Sequence, residues 1–384
     1  MMRGTVIVGA GPAGLAVAAA LGQGGVQYEV LERAPSIGSS WSTRYDSLQL
    51  HTVRWLSGLP GAPIPRAAGS WVRRDDFVAY LEDYARRFDI VPTLNTTLLR
   101  VDREQKGWRL ETSNATRHAE RVILATGYSS RPFIPDWPGR ESYTGLLLHS
   151  VEYREPSRYR GRRVLVVGAG NSAADIAVEL SAVAGEVLMA VRTPPNIVPR
   201  DTLGVPSQLL GIALRGVPET AMNRVTTVLR RLTVPDLSGL GLTAPPGNGY
   251  TQFLRSRSVP ILDHGFVDAV RRGAIRVVPD VASLHRDEVR LVDGQVLRPD
   301  AVIAATGYRP GLEPLVGHLG VLDEHGAPRT HGARTLTQAP GLYFVGISVQ
   351  LAGLLREIGQ EARAVGEVIS QEHASIEPQR PNPS

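Results

Sequence analysis

The sequence predicts an α/β protein with two dinucleotide-binding, Rossmann-like units, the second inserted in the first. Three observations carry that reading. A glycine fingerprint, Gly9-Ala10-Gly11-Pro12-Ala13-Gly14, stands between a β-branched run and an alanine-rich stretch. A second, Gly168-Ala169-Gly170-Asn171-Ser172-Ala173, stands in the same setting further along the chain. One phrase is also written twice, VILATGY at 122–128 and VIAATGY at 302–308.

In the first unit, Thr5–Val8 reads as a buried parallel strand and the stretch up to about Leu21 as a helix. Gly9 permits the tight turn, Gly11 lets the backbone approach a pyrophosphate, and Gly14 lets helix and strand pack closely. The pyrophosphate is then expected at the helix N-terminus, where free N–H groups favour an anion. The next strand, VQYEVLE, ends in Glu32, about 20 residues on, where a carboxylate binds a ribose diol. This unit is expected to take FAD or NAD.

The second unit repeats the grammar. Val164–Val167 is the strand and the helix runs to about Leu180; EVLMAVR follows and ends in Arg192. An arginine where the first unit has an acid suits a 2′-phosphate through a charge-assisted pair. This unit is expected to take NADP. Each ATGY phrase then ends the strand that returns the chain to its nucleotide-binding sheet.

Between Glu32 and the first phrase, Phe77, Tyr80, Leu81, Tyr84 and Phe88 mark one face of a helix over 75–88, read as core. A meander is expected near Thr97–Asp102, Gly107–Thr112 and Arg121–Ala125. A hairpin with its turn at Asp293-Gly294 precedes the second phrase. The strand GLYFVG (341–346) runs into a helix from about Gly353 to Ile369, and the tail 370–384 is expected to be disordered. The simplest division is a discontinuous first domain, 1–157 plus 301–384, carrying 158–300 as an insert.

Composition narrows the function. The chain has 42 basic and 37 acidic residues, a net charge of +5, with Lys106 the only lysine. No arginine run exceeds two and acids are interspersed, which argues against a nucleic-acid footprint. There are no cysteines, so a redox dithiol, thiolate zinc and a thiolate nucleophile are excluded. The histidines show no metal-ligand spacing. The uncharged stretch after Arg3 imitates a signal peptide. Its glycines and Pro12 do not suit a membrane segment, so a mature, soluble, cytoplasmic protein is expected.

The stretch YTGLLLHSVEY (143–153) and the motif GAGNSAADIA make the chain resemble the class B flavoprotein monooxygenases, in particular the YUCCA branch of the flavin-containing monooxygenases and its bacterial relatives. Gly145, His149 and Tyr153 fit the family pattern Phe-x-Gly-x-x-x-His-x-x-x-Tyr/Phe. Tyr143 replaces its phenylalanine, and Tyr153 stands where the Baeyer–Villiger branch has tryptophan. YDSLQLH (45–51) is similar to the YUCCA sequence, whereas other members carry Thr-Asn in place of Leu50-His51. The layout implied is that of glutathione-reductase-like flavoproteins.

The resemblance implies FAD held by the first fingerprint with Glu32, Arg33, Gly38, Trp41, His51, Val101, Ala125, Thr126, Gly127 and Gly346. It implies NADPH held by Gly168, Gly170, Asn171, Ser172 and Ala173 with Arg192, Thr193 and Arg200. Ala305, Thr306, Gly307 and Tyr308 are implied beside the cofactors. NADPH would pass hydride to FAD, and reduced flavin would add O2 at C4a. The (hydro)peroxide would then oxygenate a small substrate by N/S-oxygenation, hydroxylation or oxidative decarboxylation.

His51 is the catalytic candidate, as a hydrogen-bond donor near flavin or substrate; a pocket-wall role is the alternative. His149 is expected to fix the connection between domains. The apolar stretch 203–234, with Arg215, Arg224, Arg230 and Arg231, roofs the substrate pocket or touches a membrane surface, and 238–252 is loop near the flavin edge. Stable membrane insertion is not expected, and the oligomeric state is open. Competing readings are an NADPH-driven flavin reductase or oxidase and a non-catalytic nucleotide-binding redox sensor.

Overall fold

The computed structural model describes residues 3–202, 204–213, 223–224, 227–228, 233–244, 259–348 and 353–376. The chain forms two compact units. One comprises Met1–Ser42, Thr52–Arg131 and Arg309–Ser384; the other comprises Thr43–His51 and Pro132–Tyr308. Half of the expected roof segment, with Arg215, Arg230 and Arg231, lies outside the described residues, as does 245–252 of the expected loop.

In the first unit, β1 (Arg3–Val8) leads through the fingerprint into α1 (Pro12–Gln23), and β2 (Tyr28–Leu31) follows. Pro12 occupies the first helical position, where its missing N–H costs nothing. Nearly every residue of α1 is buried, including Leu15, Val17 and Leu21. Each such side chain contributes about 1.5–3 kcal/mol of burial. The helix α2 (Arg74–Arg87) has Asp75 and Asp76 in its first turn and Arg86 and Arg87 in its last, complementing its dipole. Its Phe77, Tyr80, Leu81 and Tyr84 are buried, as the aromatic stripe predicts.

The meander is β3 (Leu98–Arg103), β4 (Trp108–Thr112) and β5 (Thr116–Leu124). The early half of β5 runs antiparallel to β4; from Ala119 it runs parallel to β1, with Val8 opposite Leu124. One long strand therefore serves both as meander edge and as the return to the nucleotide sheet.

The second unit is a five-stranded parallel sheet. Its strands are β6 (Leu146–His149), β7 (Arg163–Val167), β8 (Glu186–Ala190), a later strand at 276–278 and one at 301–304, and α3 (Asn171–Leu180) follows β7. A short parallel pair joins β9 (Ile197–Pro199) to β10 (Ile261–Asp263). Then come α4 (Phe266–Arg271), β11 (Arg276–Val278) and the antiparallel ladder β12 (Val281–His285), β13 (Glu288–Leu291) and β14 (Val296–Leu297). The expected hairpin is the β13–β14 part of that ladder; β12 and β6 are strands the sequence reading missed.

The strand β15 (Ala301–Ala304) lies between β7 and β6, with Val167 opposite Ala304. It thus belongs to the second unit, although the expected division put 301–384 with the first. The reason is the phrase itself, which returns the chain to the sheet of its own fingerprint. The first unit closes with β16 (Leu342–Phe344), parallel to β5, and α5 (Leu354–Ile376). Helix continues through residues 370–376, against the expected disorder, because Ser370 packs against the end of α1: a Cβ on Gly24 would stand 1.9 Å from its hydroxyl. Residues 377–384 are outside the described residues.

Candidate functional site

The two fingerprints meet the two ATGY phrases in the same way. Gly9 has φ +110°, and a Cβ there would stand 2.6 Å from the carbonyl oxygen of Ala125. Gly168 has φ +132°, and its Cβ would stand 2.3 Å from the carbonyl oxygen of Ala305. In each unit the residue after the returning strand donates its N–H to the first strand, Ala125 to Val8 at 2.9 Å and Ala305 to Val167 at 2.8 Å. The repeated phrase is the wall against which the tight turn is wedged.

The second glycine of each fingerprint behaves differently. Gly11 and Gly170 have φ −88° and −103°, which any residue adopts, and a Cβ on either meets nothing within 4 Å. No contact within the described chain requires glycine there. Both are N-caps without a side-chain cap, of helices whose first turns hold no acid. Their N–H groups and dipoles are left available to an anion.

Around the first turn, Glu32 is gripped by backbone: Oε2 accepts from the Ala10 N–H at 2.7 Å and Oε1 from the Ala34 N–H at 2.9 Å. Gly38 donates its N–H to the Ala10 carbonyl at 3.2 Å, and Trp41 packs edge-on against Phe77. Gly346 packs against Ala13 and donates its N–H to Glu361 at 2.8 Å. The Thr126 hydroxyl is buried without a partner among the described residues, beside the wedged turn. Its counterpart Thr306 donates to the Phe133 carbonyl. An orphaned hydroxyl, a cradle open at Gly11 and an oriented Glu32 fit a dinucleotide. Gly14, Gly127 and Pro12 complete the turn region, whereas Arg33 reaches the Ser130 carbonyl and the Val101 side chain is wholly buried in the core of the edge strand β3.

In the second unit, Arg192 and Thr193 follow β8; both are exposed, and Arg192 has no ion pair among the described residues. That suits a phosphate reader. Two other expected contacts are engaged internally. The Asn171 amide donates to the Pro260 carbonyl at 3.1 Å and accepts from the Leu262 N–H at 2.8 Å, which fastens β10 to α3. Arg200 donates to the Gln49 amide oxygen at 3.0 Å, and burial lowers its pKa despite the favourable charges of Asp201 and Asp175.

His51 lies in the second unit, where its Nε2 is 3.0 Å from Oδ2 of Asp175. The same oxygen accepts from the Tyr45 hydroxyl at 2.6 Å, and His264 Nε2 lies 3.6 Å from Oδ1. Burial alone would raise the Asp175 pKa; the hydrogen bond and charge of His51, with Tyr45 and His264, outweigh it and hold the carboxyl below its ordinary value. Burial pushes the Tyr45 hydroxyl well up, with the Asp175 charge adding to it and Ser172 opposing. Burial lowers His264 despite the Asp175 charge. One turn along α3, Glu179 accepts from Tyr153 at 3.0 Å and from Ser47 at 3.1 Å. Asp175, Tyr45 and His264 were missed in the sequence because they stand far apart in it and fit no spacing rule; only the Asp of GAGNSAADIA could have drawn attention.

His149 is engaged on both ring nitrogens. Its Nε2 faces the Gly307 carbonyl at 2.9 Å and its Nδ1 accepts from the Val151 N–H at 3.1 Å. An Nδ1 that accepts an N–H carries no proton, and burial lowers this histidine's pKa accordingly. Its ring meets Tyr308 edge-on, and Tyr308 in turn lies under the Arg44 guanidinium, 4.4 Å from the ring centre. Both ring nitrogens are thus engaged within the second unit. No group of three or more potential metal ligands occurs among the described residues.

Comparison with known proteins agrees with this fold. The family model for pyridine nucleotide-disulphide oxidoreductases matches residues 6–202. The indole-3-pyruvate monooxygenase YUCCA8 of Oryza sativa subsp. indica is 35% identical over 388 residues, covering 96% of this chain and 91% of that protein. Among solved structures, a variant of the flavin monooxygenase from Stenotrophomonas maltophilia superposes with a TM-score of 0.75 at 25% identity, covering 97% of this chain and all of that one. The bacillithiol disulfide reductase of Staphylococcus aureus shares the fold, with a TM-score of 0.70 at 17% identity over 97% of this chain and 99% of that one.

Proposed function

The chain belongs to the YUCCA-type flavin monooxygenases, within the class B flavoprotein monooxygenases, and from that premise we propose that it is an NADPH-dependent enzyme that oxygenates a small organic substrate with O2. In this reading the first unit binds FAD and the second NADPH. The observation that carries it is the pair Gly11 and Gly170, whose lack of a side chain no contact among the described residues explains. A ligand drawn against the backbone explains both.

Bound FAD supplies the acceptor for hydride from NADPH and the centre at which O2 is activated. The protein's residues bind, orient and exclude water. The N–H groups at the start of α1 and of α3 take the two pyrophosphates. Glu32, held by two backbone N–H groups, offers its outer lone pairs to the flavin nucleotide's ribose hydroxyls. Arg192 takes the 2′-phosphate that distinguishes NADPH from NADH, with Thr193 beside it. Thr126 gives its unpartnered hydroxyl to the flavin nucleotide. His51 holds a lone pair or a proton at Nδ1 for the reacting atoms, since Nε2 is committed to Asp175.

Indole-3-pyruvate, the 2-oxo acid in the name of the rice relative, is the first compound to try. The test is the purified protein with FAD and NADPH in air, followed for substrate-dependent NADPH and oxygen consumption and for oxygenated product. Complete conversion of oxygen to free peroxide with every substrate tried supports a reductase or oxidase instead.

A further inference from the structure

The segment 43–51 belongs to the second unit although the chain on both sides of it, 1–42 and 52–131, belongs to the first. Side chains of α3 hold it there. Asp175 takes Tyr45 and His51 on one oxygen, and Glu179, one turn further on, takes Ser47. The Asp175 carboxylate is mostly enclosed and Glu179 is half-buried, so an unmade hydrogen bond is expensive above all at Asp175. The N-terminus of the same helix carries Gly170, the open glycine of the second fingerprint.

We propose that Asp175 is the positioning residue of the oxygenation site: by accepting the Nε2–H of His51 it fixes the ring's orientation and tautomer, so that Nδ1 is the nitrogen presented to the reactants. The inference rests on the monooxygenase reading above and deepens it. A carboxylate accepts from both of its neighbours without having to turn, and an ionised one offers no proton of its own. Tyr45 and His51 are therefore both donors to Asp175, which leaves His51 a single neutral form, with Nε2 protonated and Nδ1 bare. Nδ1 has no partner among the described residues, and a quarter of the His51 side chain is exposed. The arrangement follows the principle by which a buried carboxylate selects a catalytic imidazole's tautomer.

The decisive readout is spectroscopic. In the full chain loaded with FAD and NADP⁺ and labelled with ¹⁵N-histidine, the His51 ring nitrogens are identified by their loss in His51→Gln. At a pH where His51 is neutral, the wild type is expected to show Nε2 protonated and Nδ1 bare; an Nδ1–H form overturns the proposal without any variant at Asp175. In Asp175→Asn, which puts an N–H₂ group where an oxygen accepted, the single tautomer is expected to be lost, and an unchanged His51 pattern overturns it.

The kinetic readout is the lag between oxygen mixing and return of the oxidised-flavin spectrum, with peroxide released per NADPH consumed. Asp175→Asn is expected to shorten the lag about tenfold, as misplacement of a reacting group does. FAD content and the rate of flavin reduction by NADPH should stay near wild type. Adding Asp175→Asn to His51→Gln is expected to cost nothing further, because one residue acts through the other; independent, multiplying effects overturn the proposal. If the wild type shows no lag at all, the monooxygenase reading fails, and the ring-nitrogen spectrum still decides the role of Asp175.

Discussion

Replacing Gly11 by alanine separates what the fold needs from what a ligand needs. Among the described residues the new methyl meets nothing within 4 Å, and the backbone stays at φ −88°. Alanine at such a position stabilises by about 0.4–1 kcal/mol, by restricting the unfolded chain. Against a bound pyrophosphate the same methyl intrudes, and overpacking costs about 1–3 kcal/mol. That corresponds to a Kd for FAD raised about 5- to 150-fold. Gly9→Ala is the contrasting variant: its methyl lies 2.6 Å from a backbone carbonyl and its φ is +110°, a conformation that alone costs about 1–3 kcal/mol. Calorimetric unfolding of the FAD-free proteins and titration with FAD measure the two effects. Gly11→Ala should unfold no earlier than wild type while binding FAD weakly, and Gly9→Ala should unfold early. Undiminished FAD binding by Gly11→Ala would refute the reasoning that links the open glycine to a ligand.

Arg192→Gln should raise the KM for NADPH about 10- to 100-fold and leave that for NADH nearly unchanged, since a charged hydrogen-bonding pair contributes about 1.5–3 kcal/mol. Steady-state kinetics with both nucleotides check it. Tyr143→Phe should stabilise the protein by about 1 kcal/mol in thermal unfolding. The Tyr143 hydroxyl is buried without a partner among the described residues, and its pKa is pushed up to about 12 by burial, with the charges of Asp287 and Asp300 adding to it. Glu361 in the first unit has a raised pKa, from burial first, opposed by the Gly346 N–H and reinforced by Glu357. A carboxyl raised on folding favours the folded state below its unfolded pKa, and that advantage is lost as pH rises through its folded pKa. Glu361→Gln should therefore raise Tm relative to wild type at pH 8, with the difference closing as pH falls toward 4.

The parts of this molecule that were legible in sequence are those whose causes are local. Glycines wedged at Gly9 and Gly168, the β-branched strands behind them and the period of Phe77, Tyr80 and Tyr84 each announce their structure within a few residues. The repeated ATGY phrase was legible as a recurrence, and the contact of Ala125 with Gly9 explains it only once the strands are paired. What was missed is long-range. Leu146–His149 reads as a linker motif, and only its pairing with Ala301–Ala304 makes it an edge strand. Asn171 reads as a cofactor contact because of its place in the fingerprint, yet its amide is taken by Pro260 and Leu262. The His51 partners come from residues 45, 175 and 264, a juxtaposition that no periodicity encodes. Helix persists past Ile369 for a similar reason, since the contact with Gly24 lies at the opposite end of the chain.

This chain is proposed to use NADPH and a bound flavin to oxygenate a substrate. The most direct test is rapid-mixing spectroscopy of the purified, FAD-loaded protein. It is reduced with NADPH without oxygen, mixed with oxygenated buffer, and followed from the reduced to the oxidised flavin spectrum with and without indole-3-pyruvate. A monooxygenase is expected to show a distinct transient spectrum before the oxidised one returns, shortened by substrate, with product formed in place of peroxide. Direct return to oxidised flavin in both cases, with one peroxide released per NADPH, would contradict it.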